Sequence, residues 1–286
     1  MAFEKGTATN YLDLFAKIVT FASANGWTVL EQTGTQVYMR GSGAAGLDEI
    51  YVGIRAYEDQ AGSRYNFELY GSWGYVAGRA FNSMPFASGP LSSLYPRAYL
   101  WNKAMPYWLS VNGRRIICVV KVGTVYQHFY LGFINPPATD AQYPYPLLIG
   151  GCGDDDYNYA TTSDVSAYWA DNGASGCGNL ALPGGGCGRI TYAGSEPTIP
   201  SLKAYSPIHG KRGDIITCPD NSYMLFPFYI ISNEFAENYG QIDGIFQISG
   251  YDNASENTLT IDGVEYTVFQ DIYRVGYWSF CAMRNN

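Results

Sequence analysis

Charge is scarce in this sequence, and histidine scarcer still. Asp, Glu, Lys and Arg make up 15% of the 286 residues, the net charge is −8, and the two histidines are His128 and His209. The acidic balance argues against nucleic-acid binding, which normally shows a basic face. The basic clusters present, Arg114-Arg115 and His209-Gly210-Lys211-Arg212, read as decoration of strand ends or turns. No run approaches the ~18 apolar residues of a membrane-spanning helix, so no membrane insertion is expected. MAFEKGTATN carries charge too early for a secretory signal, so a soluble protein made in the cytoplasm is expected. No two of the six cysteines are spaced C-x-x-C and none has a histidine partner nearby, which argues against zinc. Cys177 and Cys187 flank Leu180 to Pro183 and three glycines, and are placed to meet across a loop; free buried thiols are the other reading.

Catalytic signatures are scarce as well. A Ser-His-Asp or Cys-His arrangement must use one of the two histidines; His128 falls mid-strand and His209 in a turn after Pro207. There is no G-x-S-x-G elbow, H-E-x-x-H, Walker loop or H-x-E…C-x-x-C. Paired carboxylates for glycoside hydrolysis are defined by spatial separation, and nothing here selects a pair. Gly41-Ser42-Gly43-Ala44-Ala45-Gly46 spells G-x-G-x-x-G, but the dinucleotide fingerprint must open a helix, and the adjoining LDEIYVGIRAYED reads as a strand. It is taken as a strand connection. Asp154-Asp155-Asp156 lacks the spaced carboxylates of a calcium loop and reads as a solvated acidic turn. Arg212-Gly213-Asp214 is an adhesion tripeptide of chance frequency, and the Asn253-Ala254-Ser255 sequon matters only in a secretory compartment. No catalytic, cofactor-binding or metal-binding residue is assigned, and no enzyme is expected.

Aromatic residues are abundant instead: 16% of the chain, with 26 tyrosines beside 33 glycines. Many Tyr with little charge points away from disorder and toward protein contacts, since Tyr combines a large apolar body with a hydrogen-bonding tip. Residues 9–24 read as one helix, capped by Thr9 or Asn10 and stopped at Asn25-Gly26, with Tyr11, Leu14, Phe15, Ile18, Val19 and Ala22 on one apolar face. Trp27 to Leu30 and Gln36 to Arg40 form a hairpin. Pro106 to Phe133 reads as a three-strand meander (107–111, 114–122, 125–133) with a type I′ turn at Asn112-Gly113 and a weaker break at Gly123-Thr124. Ile116, Cys118, Val120 and Val122 share one face with Phe129, Leu131 and Phe133 of the next strand. The opposite face, with Tyr126, His128 and Tyr130, is mixed and aromatic, so both faces are expected to be covered.

The expected architecture is mainly β with one N-terminal helix: antiparallel sheets in a β-sandwich-like body formed by 1–134 and 205–286, with 135–204 as a Pro/Tyr segment and glycine-rich, loop-rich insertion on one side. Asn135 to Pro146 either braces the body or lies as polyproline II in a neighbour's groove, bracing being preferred. A second strong hairpin turns at Gly263 in TIDGVEYTVF.

The stretches "F…NGW.V", "DEIYVGI" (Asp48–Ile54), "PYWLSVNGRRIICVVKVGTVYQHFYLGFINP…QYPYPL…GG" (Pro106–Gly151) and "YGQIDGIFQISG…ENTLTIDGVEYTVFQDIYRVGYWSFCAMR" resemble virion proteins of tailed bacteriophages, encoded in tail clusters and placed at the tail tip or baseplate. The resemblance spans almost the whole chain and is weakest over 150–204. It implies structural work in the virion tail, made in the host cytoplasm, with other tail and baseplate proteins and further copies of the chain in a symmetric ring as partners. The alternative it implies is a receptor- or carbohydrate-binding tail protein contacting the host surface. Partner-contact candidates are Tyr143, Tyr145, Tyr157, Tyr159, Tyr168 and Trp169, all in the 135–204 stretch.

Overall fold

The computed structural model describes residues 1–43, 49–81, 83–85, 95–160, 165–170, 177–190, 200–207, 218, 222–233, 236–273 and 276–285. The chain starts with strand β1 (Ala2–Ala8) and then forms helix α1 (Tyr11–Ala24). Asn10 caps the helix, its side chain accepting from Asp13 N at 2.9 Å, and Asp13 in turn accepts from Thr9 N at 2.7 Å. The six apolar positions of the helical stripe are all buried. Gly26, at φ +98°, ends the run in a conformation that side chains resist.

Strands β2 (Trp27–Gln32), β3 (Gln36–Gly41), β4 (Ile50–Asp59), β5 (Arg64–Ser72) and β6 (Arg97–Ala98) come next, and pair in that order as an antiparallel five-stranded sheet. Of the Gly41–Gly46 loop, Ala44 to Gly46 lie outside the described residues. The next described element after this loop is strand β4.

The second sheet is much larger. It contains β7 (Met105–Asn112), β8 (Arg115–Val122), β9 (Val125–Phe133), β10 (Leu147–Gly150), β11 (Gly178–Ala181) and β12 (Cys187–Ile190). It continues with β13 (Ser201–Tyr205), β14 (Phe226–Ser232), β15 (Asn238–Ile248), β16 (Thr258–Ile261), β17 (Val264–Gln270) and β18 (Phe280–Arg284). With β1 these form thirteen strands in the order β1-β7-β8-β9-β10-β11-β12-β13-β14-β15-β18-β17-β16 among the described residues. Every neighbouring pair is antiparallel except β12–β13. Among the described residues the protein is therefore mainly β with one helix, as its sequence suggests.

Three local expectations need correction. The 135–204 stretch is rich in loops, but it does not stand to one side: β10 to β13 run through the sheet and join β9 to β14. The turn after β7 is displaced by one residue. Asn112 pairs with Arg115, leaving Gly113-Arg114 as the loop, and Asn112 Oδ1 accepts from Arg114 N (2.8 Å) and Arg115 N (3.0 Å). An Asx-type turn therefore replaces the type I′ turn. Gly113 is needed for close approach, since a Cβ there would lie 2.9 Å from Gly43 O. A type I′ turn does form at Asp262-Gly263, where φ is +52° and +78°. Finally, Arg115 is no surface decoration: its side chain is 0% exposed.

The meander shows why. Ile116, Cys118, Val120, Phe129 and Leu131 face one core with α1 and the five-stranded sheet, where Phe67 packs on both Phe15 and Phe129 at ring distances of 6.2 and 6.4 Å. The alternate residues Ile117, Val119, Tyr126 and Tyr130 face a second core with Ile230, Ile245, Phe269 and Met283. The large sheet thus curls until β14, β15, β17 and β18 lie across from β7 to β9. Polar ties span the enclosed core. Arg115 Nε meets Asp243 Oδ2 at 2.5 Å, Ser110 Oγ donates to Arg284 O at 2.8 Å, and Asn135 and Gln241 exchange backbone hydrogen bonds of 2.8 and 2.9 Å. Removing the partner of a buried charge leaves it uncompensated. Asp243→Ala is therefore expected to lower stability by about 3 kcal/mol in urea unfolding, Asp243 keeping some water contact. Lys121→Ala, at the more exposed Lys121–Glu256 pair, should change it by less than about 1 kcal/mol.

Candidate functional site

The side chains closest to a catalytic constellation are His128, Cys152 and Asp271, buried together with Trp169. Strand β9 points His128 into the inner core by simple alternation. Its Nε2 donates to Gln270 O at 2.9 Å, and Nδ1 accepts from Trp169 Nε1 at 3.4 Å, so both ring nitrogens are occupied. Cys152 approaches only the backbone of His128, its Sγ donating to His128 O at 3.1 Å. Asp271 Oδ1 accepts from Ala167 N and Ile272 N, each at 2.8 Å. Burial pushes the Cys152 thiol well up and lowers His128 to about 4. A thiol held protonated and an imidazole turned away from it do not make a nucleophile–base pair. Trp169 belongs to the inner core and Cys152 to the one shared with α1, so these groups tie the two faces of the meander to the segments packed on them. His209, the other histidine, lies outside the described residues, as does Arg212-Gly213-Asp214.

The aromatic contact candidates divide by exposure. Tyr143, Tyr168 and Trp169 are core residues, 2%, 0% and 1% exposed, and are corrected accordingly: Trp169 packs on His128 and Phe228, Tyr168 on Tyr130, and the Tyr143 hydroxyl donates to Ala181 O. Tyr145 and Tyr159 are half-buried, stacked on Trp73 (5.3 Å) and edge-on to Trp101 (5.1 Å). Tyr157 is exposed. The Pro-Tyr segment therefore braces the body.

Two of the three aspartates are pinned, against the expectation of a solvated turn, while Asp155 is exposed. Asp154 pairs with Arg189, and Asp156 Oδ2 takes Arg64 Nη1 at 2.7 Å and the Tyr57 hydroxyl at 3.1 Å. Next to them buried Glu68 takes Arg55 at 2.5 Å and Arg97 at 2.8 Å, and Arg97 Nη1 also donates to Asp154 O. Among the described residues no group of three or more His, Cys, Asp or Glu side chains could hold a metal ion. Cys177 and Cys187 are not bonded to each other. Cys187 faces Ala181, four residues from Cys177, hence roughly 13 Å away along the strand, beyond disulfide reach.

Open hollows occur among the described residues, and two of them are well defined. One of about 330 Å³ is lined by Val122 to Val125, Tyr159, Ala160 and Tyr273. The other, of about 450 Å³, lies between Pro137, Tyr143, the Leu182–Gly185 turn and Glu237 to Tyr239. Their walls come from segments far apart in sequence, so no local motif announced Tyr239, Glu237 or Tyr273. No protein-family model matches this chain, and a comparison with curated proteins yields no match.

The burial of His128 has a measurable consequence. Unfolded, the imidazole takes a proton near pH 6.5; folded, only near 4. Between those values the unfolded chain binds more protons, so stability is full above about 6.5 and falls as pH drops toward 4. The loss attributable to this residue is of order 3 kcal/mol. Urea titrations at pH 7.5 and 4.5 should show a smaller pH-dependent loss for His128→Gln than for the parent chain.

Proposed function

We propose that this protein is a structural subunit of a tailed-bacteriophage tail, placed at the tail tip or baseplate and working by assembly with other virion proteins and with copies of itself. The observation that carries this reading is the resemblance of almost the whole chain to such proteins, with Pro106–Gly151 as its long central segment and 150–204 matched least. Physical features are consistent with the work. A tail subunit transmits load between neighbours, and here both faces of the β7–β9 meander are packed, with charged and backbone ties across the inner core. The groups that chemistry would use, His128, Cys152 and Asp271, are committed to that packing.

Contacts with partners would draw on aromatic rings that remain accessible: Tyr157 at 39% exposure, Tyr273 at 38% and Tyr277 at 44%. Mass spectrometry of purified particles, with electron microscopy of particles carrying a tagged copy, tests the proposal. The expected result is a stoichiometric chain with label at the tail end. Its absence from intact particles, or label on the capsid, would overturn it.

A further inference from the structure

The 450 Å³ hollow is a built feature. Its first wall, Pro137 and Ala138, is held by the Asn135–Gln241 backbone bridge. That approach requires Gly240, at φ +143°, because a Cβ there would come within 2.5 Å of Asn135 O. The second wall is the Leu182–Gly186 turn, closed by Gly185 N donating to Leu182 O at 3.0 Å and anchored at its base by the Tyr143 hydroxyl on Ala181 O. Gly185 and Gly186 sit at φ +86° and +80°, which keeps this lip low. The third wall is the turn into β15, fixed by Ser232 Oγ accepting from Ala236 N (3.0 Å) and Glu237 N (3.1 Å). Three tied segments give a pocket largely preformed, of the size that small ligands occupy.

Its chemistry is specific. The lining offers apolar surface from Tyr239, Pro137 and Pro183, with the buried Tyr143 packed beneath them. The rim offers Glu237 and Asn238, both exposed. One Glu237 oxygen takes the Tyr239 hydroxyl, which leaves the second as an acceptor. Asn238 Oδ1 is used by Gly240 N at 3.0 Å, so what it offers a ligand is its NH₂ donor pair. A carboxylate at the rim of a chain with net charge −8 repels phosphates and other anions. A wholly apolar ligand would strip water from Glu237 and Asn238 without replacing it.

We infer that the Tyr143–Tyr239 hollow is a binding site for a neutral saccharide, one ring lying against Tyr239, Pro137 and Pro183 while neighbouring hydroxyls bond Glu237 and Asn238. A pyranose has the required form, with an apolar C–H face and a hydroxyl edge that both donates and accepts. Of the six aromatics that the sequence put forward for contact, Tyr143 lines this hollow, buried, and the other five are not among its lining residues. The site also needs no place in a particle, so it and the tail assignment stand or fall separately.

The test is saturation-transfer NMR on the full chain, against neutral oligosaccharides of glucose, galactose, mannose and N-acetylglucosamine, with sialyllactose as an anionic probe and choline as a cationic one. At least one neutral oligosaccharide is expected to bind. Glu237→Gln should weaken it about fivefold, and Tyr239→Leu, which keeps apolar packing on the inner core, about tenfold. Both variants should retain the parent's thermal midpoint; if Tyr239→Leu does not, the exposed Glu237→Gln carries the test alone. Absence of binding by every neutral member at about 10 mM, binding by choline or sialyllactose alone, or affinity unmoved by Glu237→Gln would each overturn the inference.

Discussion

A guanidinium with no exposed surface holds this molecule in shape. Arg115 stands at the start of β8, where alternation turns it into the enclosed core, and Asp243 on the opposite wall meets it at 2.5 Å. Ser110 adds its hydroxyl and carbonyl oxygens at 3.3 and 3.4 Å. A lone buried charge is untenable, so with Arg115 turned inward the curl that buries the apolar core must also bring a carboxylate on β15 to β8. Close by, Gly244 at φ +77° leaves room for the guanidinium, a Cβ there falling 2.2 Å from Arg115 Nη2. Placement of the C-terminal wall depends on one arginine and the space cleared for it.

The same economy explains the tyrosines. Their rings fill the two cores and the layer between Tyr38, Tyr70, Phe81 and Tyr95. Several hydroxyls end on carboxylates at the boundary: Tyr11 on Glu58 (2.5 Å), Tyr75 on Glu31 (2.6 Å), Tyr107 on Glu4 (2.6 Å) and Tyr126 on Glu256 (2.6 Å). A large ring enters the interior while its polar tip and an acidic partner remain near water. The aromatic richness of the chain, which composition alone associates with partner surfaces, is in good part internal architecture.

Much of the fold was legible because its signals are local. The helix announced itself through a cap, a stripe and Asn25-Gly26, and the meander through alternation over more than twenty residues. The Gly263 hairpin was marked by two residues that accept positive φ. The hidden elements depend on distant partners. AFEKGTA is a strand because β7 supplies its mate, from Ala2↔Val111 to Ala8↔Met105. Strands β10 to β12, four residues each, are too short to show a period. Arg115 looks like a surface residue until Asp243, 128 positions later, is set against it. Tyr168 and Trp169 look like exposed aromatics in a polar loop, yet the curl of the sheet encloses them. Of the candidate site, residue types were readable but their meeting was not: Pro137, Leu182 and Glu237 converge only after three walls have closed.

The position of β18 between β15 and β17 carries a kinetic meaning. Cys281 and Met283 of this strand belong to the inner core, and Ser110 reaches across to Arg284 O. On the ribosome, the meander and its neighbours emerge long before these residues, so the inner face of β7 to β9 waits uncovered while about 150 further residues are made, roughly ten to thirty seconds of synthesis. During that interval Ile117, Val119, Tyr126 and Tyr130 form an apolar surface without its lid. Non-local closure of this kind makes folding slow and leaves it open to misassociation. The nascent chain is most vulnerable just before its last strand arrives, and whatever shields it then, chaperone or neighbouring subunit, acts on the meander's aromatic face.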